Sequence, residues 1–236
     1  HVFPNGRYLQ SKVRNTMNDH QDKGHENNVQ YDHLDSCFAD SYPERPRLMV
    51  LTDIGGDPDD KQSLVRLLLY ANEYDLEGLL ATSTRNQVNP ELIHERIEAY
   101  SEVLDNLRIH AEGYPSAEAL HNLVKPGNPK RLIENIGEGK STPASRHIVE
   151  TVDKPDSRPV WINIWGAATD LAQAMWDVHA SRDAEDVADF VSKLRVYEIA
   201  GQGDAGGWIC HNFPEIFWIR SVHQFQAISV RVARPF

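Results

Sequence analysis

The stretch Asp53-Ile54-Gly55-Gly56-Asp57-Pro58-Asp59-Asp60 sets four carboxylates and two glycines side by side. Like charges this close repel, so a compensating cation is expected, and a hard divalent ion with oxygen ligands meets the need. No Cys or His stands at ligand spacing beside these acids, which favours Ca2+, with Mg2+ as the alternative, over zinc. An ion held by Asp53 and Asp60 could bind a water and lower its pKa, and a neighbouring carboxylate could take the proton. Vicinal hydroxyls of a sugar could chelate the same ion. Part of the stretch also has a purely structural reading. Asp57 suits an N-cap, Pro58 the first helical position, and Asp59 and Asp60 the positive end of a helix dipole. That reading leaves out Asp53, which closes the preceding strand, and Gly55-Gly56, which would let the backbone fold tightly around a ligand. No Gly-x-Gly-x-x-Gly fingerprint, Gly-Lys-Ser/Thr phosphate cradle or Gly-x-Ser-x-Gly elbow is present, which disfavours dinucleotide, ATP and serine-esterase chemistry.

The elements that must position these acids follow from periodicity. The apolar run Leu48-Met49-Val50-Leu51 predicts a buried strand over Arg47–Thr52, and Gln62–Asn72 a helix. Leu76–Ser83 reads as a second strand. Asn89 is placed to cap a long helix with Pro90 at its first position and Ile93, Ile97, Tyr100, Leu104 and Leu107 along one face. Short helical pieces are expected at Ala117–Leu123, Lys130–Ile136 and Ser145–Val152. Val160–Trp165 is nearly all apolar, as in a strand covered on both faces. Thr169–Val178 and Ala184–Lys193, the latter capped by Asp183, read as helices; Leu194–Ile199 and Ile216–Ile219 read as strands. This alternation predicts an α/β fold with a mostly parallel sheet flanked by helices. Such sheets bind ligands beyond the carboxyl ends of their strands. Asp53, Ser83, Trp165-Gly166 and Gly201-Gln202-Gly203-Asp204 each fall just past a predicted strand. One cleft lined by Asp53, Asp57, Asp60, Asn86, Asp204 and Asn212 is therefore expected.

Composition narrows the partners. The 236 residues suit one α/β domain, taken as 47–220, with a polar arm over 1–46 and an atypical tail over 221–236. A formal net charge of −11 argues against nucleic acid or an anionic membrane. No apolar stretch is long enough to span a bilayer. Cys37 and Cys210 are too few for a disulfide framework, and His20, His25 and His33 in the arm fit no compact ligand motif. Beginning at His1, the sequence reads as a processed chain or a fragment, and a secreted or periplasmic location is preferred to a cytoplasmic one.

Leu51-Thr52-Asp53 through Asp59-Asp60 resembles the amino-terminal aspartate signature of the nucleoside hydrolases, which cleave N-ribosidic bonds with Ca2+. The likeness is closer to their nucleoside hydrolase-like relatives, some of which carry a cellulose-binding label. Asn72–Leu79, Gly113–Ala117, Pro159–Gly166, Ser192–Tyr197, Asp204–Gly206 and Asn212–Pro214 resemble that subfamily in the same order. The resemblance implies a small nucleoside or glycan ligand and a homo-oligomeric assembly. It makes Asp60 a bidentate calcium ligand, with Asp53 and Asp59 in the same cluster and the Trp165 carbonyl as a backbone ligand. Asp53 or Asp57 would activate the attacking water, and Asn86, Asp204 and Asn212 would face the sugar. Of the tryptophans, Trp161 and Trp218 sit in strand patterns and read as core, whereas Trp208, in a Gly-rich loop, is the stacking candidate. His211 could protonate a leaving group, though a surface role is the commoner one. Two features depart from the pattern. Gly55 stands where the family has its second aspartate, and Ser221–Phe236 does not resemble the segment supplying a late aspartate and a histidine. The expectation is Ca2+-dependent hydrolysis of a ribosyl-type N-glycosidic bond, with a non-catalytic carbohydrate- or cellulose-binding protein as the alternative.

Overall fold

A computed structural model describes residues 44–222. The expectations for the arm, for its histidines and Cys37, and for nearly all of the tail lie outside these described residues. The first strand, β1 (Arg47–Thr52), is buried at every position, as its apolar sequence requires. It is followed by α1 (Asp59–Leu69), β2 (Asp75–Ala81), α2 (Pro90–His110), α3 (Ala117–Asn122) and β3 (Val124–Pro126). Next come α4 (Pro143–Val152), β4 (Val160–Ile164), α5 (Thr169–Ser181), α6 (Ala184–Ser192), β5 (Leu194–Ile199), α7 (Ala205–Asn212) and β6 (Phe217–Ser221). The strands form one parallel sheet in the order β3-β2-β1-β4-β5-β6. The fold is α/β, as the alternation of patterns predicts.

Alternate residues of β1 feed two cores, because successive side chains of a strand point to opposite faces. Met49 and Leu51 pack with Ile148, Leu171, Met175, Phe190 and Ile209 of α4 to α7. Leu48 and Val50 pack with Leu64 and Leu68 of α1 and with Ile93, Ile97, Tyr100 and Leu104 of α2. Four of the five residues of the stripe predicted on α2 are buried, and the fifth, Leu107, is half-buried against the same core.

Several local expectations are corrected. Pro58 takes the N-cap position of α1, with no side-chain cap bond, and Asp57 is exposed ahead of it. Asn89 does not cap α2 with its side chain; its amide instead donates to the Ile54 carbonyl at 2.8 Å. That contact also explains Gly55, whose φ is +102° and where a Cβ would lie 2.5 Å from the Asn89 amide nitrogen. Gly55 therefore makes room for a turn-locking side chain. Residues 130–136 form only a 3-10 turn at Ile133–Asn135. Backbone N–H groups of this loop bond to other elements instead of to a helical turn, that of Asn128 to Asp170 and that of Ile133 to Asp204. Among the described residues no helix is long and apolar enough to cross a membrane.

Candidate functional site

The strand order reverses direction between β1 and β4. The chain winds outward from this point in both directions, and it is at such a reversal, beyond the carboxyl edge, that parallel sheets bind ligands. Asp53 follows β1 there, and Trp165-Gly166 follow β4. The backbone N–H groups of Trp165 and Gly166 both donate to the Leu51 carbonyl, at 2.8 and 3.4 Å, which draws the β4 turn onto Asp53. A Cβ on Gly166 would fall 2.6 Å from Asp53 Cβ and 2.7 Å from its Cγ. Only glycine lets the two strand ends meet here. Gly166→Ala should therefore force Asp53 aside and cost about 1–3 kcal/mol of stability. The measurement is a urea unfolding midpoint, and a midpoint equal to the parent's would show that Asp53 is not packed against this turn.

The acids at this edge are held by specific partners. Arg131 Nη2 donates to Asp53 Oδ2 at 2.7 Å and to the Ser83 carbonyl at 2.9 Å, while Nη1 donates to Gln202 Oε1 at 3.1 Å. The Thr52 hydroxyl donates to the carboxyl of Asp60, which is buried beside Asp53. Burial raises the pKa of both acids. At Asp60 the negative charge of Asp53 adds to burial and pushes it up to about 7. At Asp53 the Arg131 guanidinium and a hydrogen bond from Asp60 oppose the burial. The Arg131 guanidinium on the far side of Asp53 thus offsets part of the edge's negative charge.

Arg131 is positioned by a heavily fastened loop. Its own carbonyl accepts from the Thr169 hydroxyl at 2.8 Å. Ser83 Oγ donates to the Pro129 carbonyl at 2.7 Å, and the Ile133 N–H donates to Asp204 Oδ1 at 2.8 Å. Behind the loop, fully buried Asp170 accepts from the Asn128 N–H at 2.9 Å and from the Thr142 hydroxyl at 2.7 Å.

The structure brings Asp53 and Asp60 together, with Asp59 close enough to raise the pKa of both. Asp59 also accepts the Asp60 N–H at 3.0 Å. Trp165 stands beside them, and its carbonyl accepts from Gln202 Nε2 at 2.5 Å. Asp204 reaches the same loop cluster through Ile133. Asn86 lies at the exposed tip of the Thr84–Gln87 turn, where its Oδ1 accepts from Lys130 Nζ at 3.3 Å. Trp208 and Asn212 are not brought to the edge. They lie along α7, where Trp208 packs on the core beside Phe213 and Asn212 Nδ2 donates to the Trp208 carbonyl at 2.8 Å. Trp161 and Trp218 are partly buried against the two cores, as their strand positions suggest, and His211 is exposed on α7.

The donors match a hard cation in type, being oxygens, but not in number. Ca2+ takes six to eight oxygen ligands. Among the described residues no three acidic, His or Cys side chains converge on one point. One oxygen of Asp53 faces Arg131, and the Trp165 carbonyl faces Gln202. As arranged, the set does not fit the ion. Arg131 is the residue that sequence reasoning missed; Ser83 and Gln202 were placed past strand ends at this edge but given no role. The excess of acid after β1 is a signal for a counter-charge, but it does not say which basic residue supplies it.

Over residues 47–234 the chain matches the family described as cellulose-binding Sde182, nucleoside hydrolase-like domain. It is similar to the structure of a nucleoside hydrolase-related hypothetical protein from Saccharophagus degradans that is associated with carbohydrate metabolism. That similarity has 42% identity and a TM-score of 0.73, over 75% of this chain and 44% of that one. The chain therefore spans less than half the length of that relative. A more distant likeness, at 16% identity and a TM-score of 0.40, is to the inosine-uridine preferring nucleoside hydrolase of Bacillus anthracis, over 67% of this chain and 51% of that one. No curated protein matches.

Proposed function

This chain belongs to the cellulose-binding Sde182, nucleoside hydrolase-like family, and on that premise we propose that its sheet-edge crevice binds the hydroxyl-rich ring of a small carbohydrate or nucleoside. The observation that carries the reading is the ion pair of Asp53 with Arg131 at the point where the strand order reverses. The pair sets a fixed acceptor beside a fixed donor. One hydroxyl of a ring can donate to Asp53 Oδ1, which Arg131 does not use, while its neighbour accepts from a guanidinium N–H. The Arg131 side chain is 34% exposed and that of Asp53 16%, so both are reachable from solvent and largely shielded from it. Gln202 braces the guanidinium, and loss of one partner would leave a half-buried charge unmatched.

A second reading has its own observation. Asp53 and Asp60 converge, as calcium-dependent hydrolysis of a ribosyl-type N-glycosidic bond would require. Asp53, or Asp57 on the exposed turn, would be the carboxylate available to accept a proton from an attacking water. Calorimetric titration of inosine and of cellohexaose into the full chain, with EDTA and then with Ca2+, separates the two. Chromatography of the mixtures for released base or shortened glycan completes the test. Binding that survives EDTA and yields no product supports the first reading. Ribose release that needs Ca2+ supports the second. No binding of either compound under either condition overturns both.

A further inference from the structure

We infer that Arg131 is a resident counter-cation that keeps divalent ions away from the Asp53–Asp60 edge. The inference concerns the chain without any sugar, so it does not depend on the ligand reading above. Three features of the structure carry it.

First, the guanidinium touches Asp53 at 2.7 Å, on a carboxylate that any ion at this edge would need. A divalent ion binding there must share Asp53 with a fixed positive charge or expel it. Second, Gln202 links the guanidinium to the Trp165 carbonyl, the backbone oxygen that the family resemblance assigns to such an ion. Its Oε1 accepts from Arg131, and its Nε2 donates to the Trp165 carbonyl. The network that holds the arginine thus also occupies the carbonyl. Third, Arg131 is not a loose surface side chain that happens to fold over. Ser83 contributes its carbonyl to the guanidinium and its hydroxyl to Pro129, two residues before Arg131, while Thr169 and Asp204 fasten the loop on the other side. Displacing Arg131 would leave the buried Ser83 carbonyl and Gln202 Oε1 without this donor. Arg131 is accordingly a specificity-determining residue, and the selection it imposes is against a hard cation at this edge.

The test is a titration of CaCl2 into the EDTA-stripped full chain, followed by calorimetry and by the thermal unfolding midpoint. The wild type should bind no more tightly than the weakest protein calcium sites, about 1 mM or above. Arg131→Gln removes the like charge and should tighten calcium binding at least about tenfold, with a midpoint that rises on adding Ca2+. Arg131→Lys keeps the charge and should behave as the wild type does. Gln202→Ala frees the Trp165 carbonyl and loosens the guanidinium, so it should tighten binding by a smaller factor. Micromolar calcium binding by the wild type would overturn the inference. So would an Arg131→Gln variant that binds calcium no better than its parent. Should that variant fail to fold, Gln202→Ala decides: tighter binding supports the inference and unchanged affinity overturns it.

Discussion

Arg47→Ala should destabilise the domain by about 3–5 kcal/mol, the range for removing one partner of a buried ion pair. Arg47 opens β1 and is fully buried. Its Nε donates to Glu77, which lies on β2 beside it. Its Nη1 donates to the Arg158 carbonyl at 3.1 Å, and its Nη2 to the Thr151 carbonyl at 2.8 Å. One guanidinium therefore ties the first strand to the second, to the end of α4 and to the loop entering β4. Alanine would strand both carbonyls and leave Glu77 with Lys154, at 2.5 Å, as its remaining cation. Burial alone would raise the Glu77 pKa, but the hydrogen bonds from Arg47 and Lys154 outweigh it and hold the group below its ordinary value. Guanidinium chloride unfolding measures the effect. Arg47→Met, which keeps volume but no donors, should recover only part of the loss. A cost below about 1 kcal/mol for alanine would mean that water replaces the arginine at this sheet end.

Asp170→Ala should cost about 2–4 kcal/mol, since it removes a fully buried acceptor from two donors and leaves a void. The loss reaches the site, because Asp170 anchors the loop that delivers Arg131. The same residue fixes the pH dependence. Burial pushes the Asp170 pKa up to about 6, against the opposing bonds from Thr142 and Asn128. The folded chain thus keeps a proton that the unfolded chain releases near 4, so stability falls as pH rises through the interval between these values. Asp170 contributes a decline of about 3 kcal/mol across it. Asp60, also raised, acts in the same direction up to neutrality. Glu77 and Asp156 are held low, Asp156 at about 2 by its Arg158 hydrogen bonds, so their contributions are lost only on further acidification. Thermal unfolding midpoints should accordingly peak near about pH 4 and fall toward pH 7. Asp170→Asn should flatten the decline between pH 4 and 6. A midpoint that rises steadily from pH 4 to 8 in the wild type would show that the buried acids are ionised without penalty.

The parts of the fold that were legible are those with strong periodicity. β1 and β4 read as strands because a buried parallel strand is a short apolar run, and α2 because five residues at helical spacing form one stripe. β3 was not legible. Val124-Lys125-Pro126 is a short edge strand paired only with β2, and a proline in so brief a segment gives no period to read. The convergence of Asp53 and Asp60 could be read because one ends a strand and the other begins the next helix. Arg131 could not, since it lies 78 residues from Asp53 and reaches it only after the loop beyond an edge strand folds back over the sheet. Trp208 and Asn212 followed the predicted strand end into α7, but a helix leaving the edge carries its later residues away from it.

The proposed grip on a hydroxylated ring rests on Asp53 and Arg131 acting together. The most direct measurement is the calorimetric affinity of Asp53→Asn for inosine and cellohexaose in EDTA, set beside that of the wild type. Asparagine keeps the shape of Asp53 while removing its charge, so the compound that binds the wild type should bind at least about tenfold more weakly. Equal affinity in a folded Asp53→Asn variant would contradict the assignment and move the ligand away from this edge.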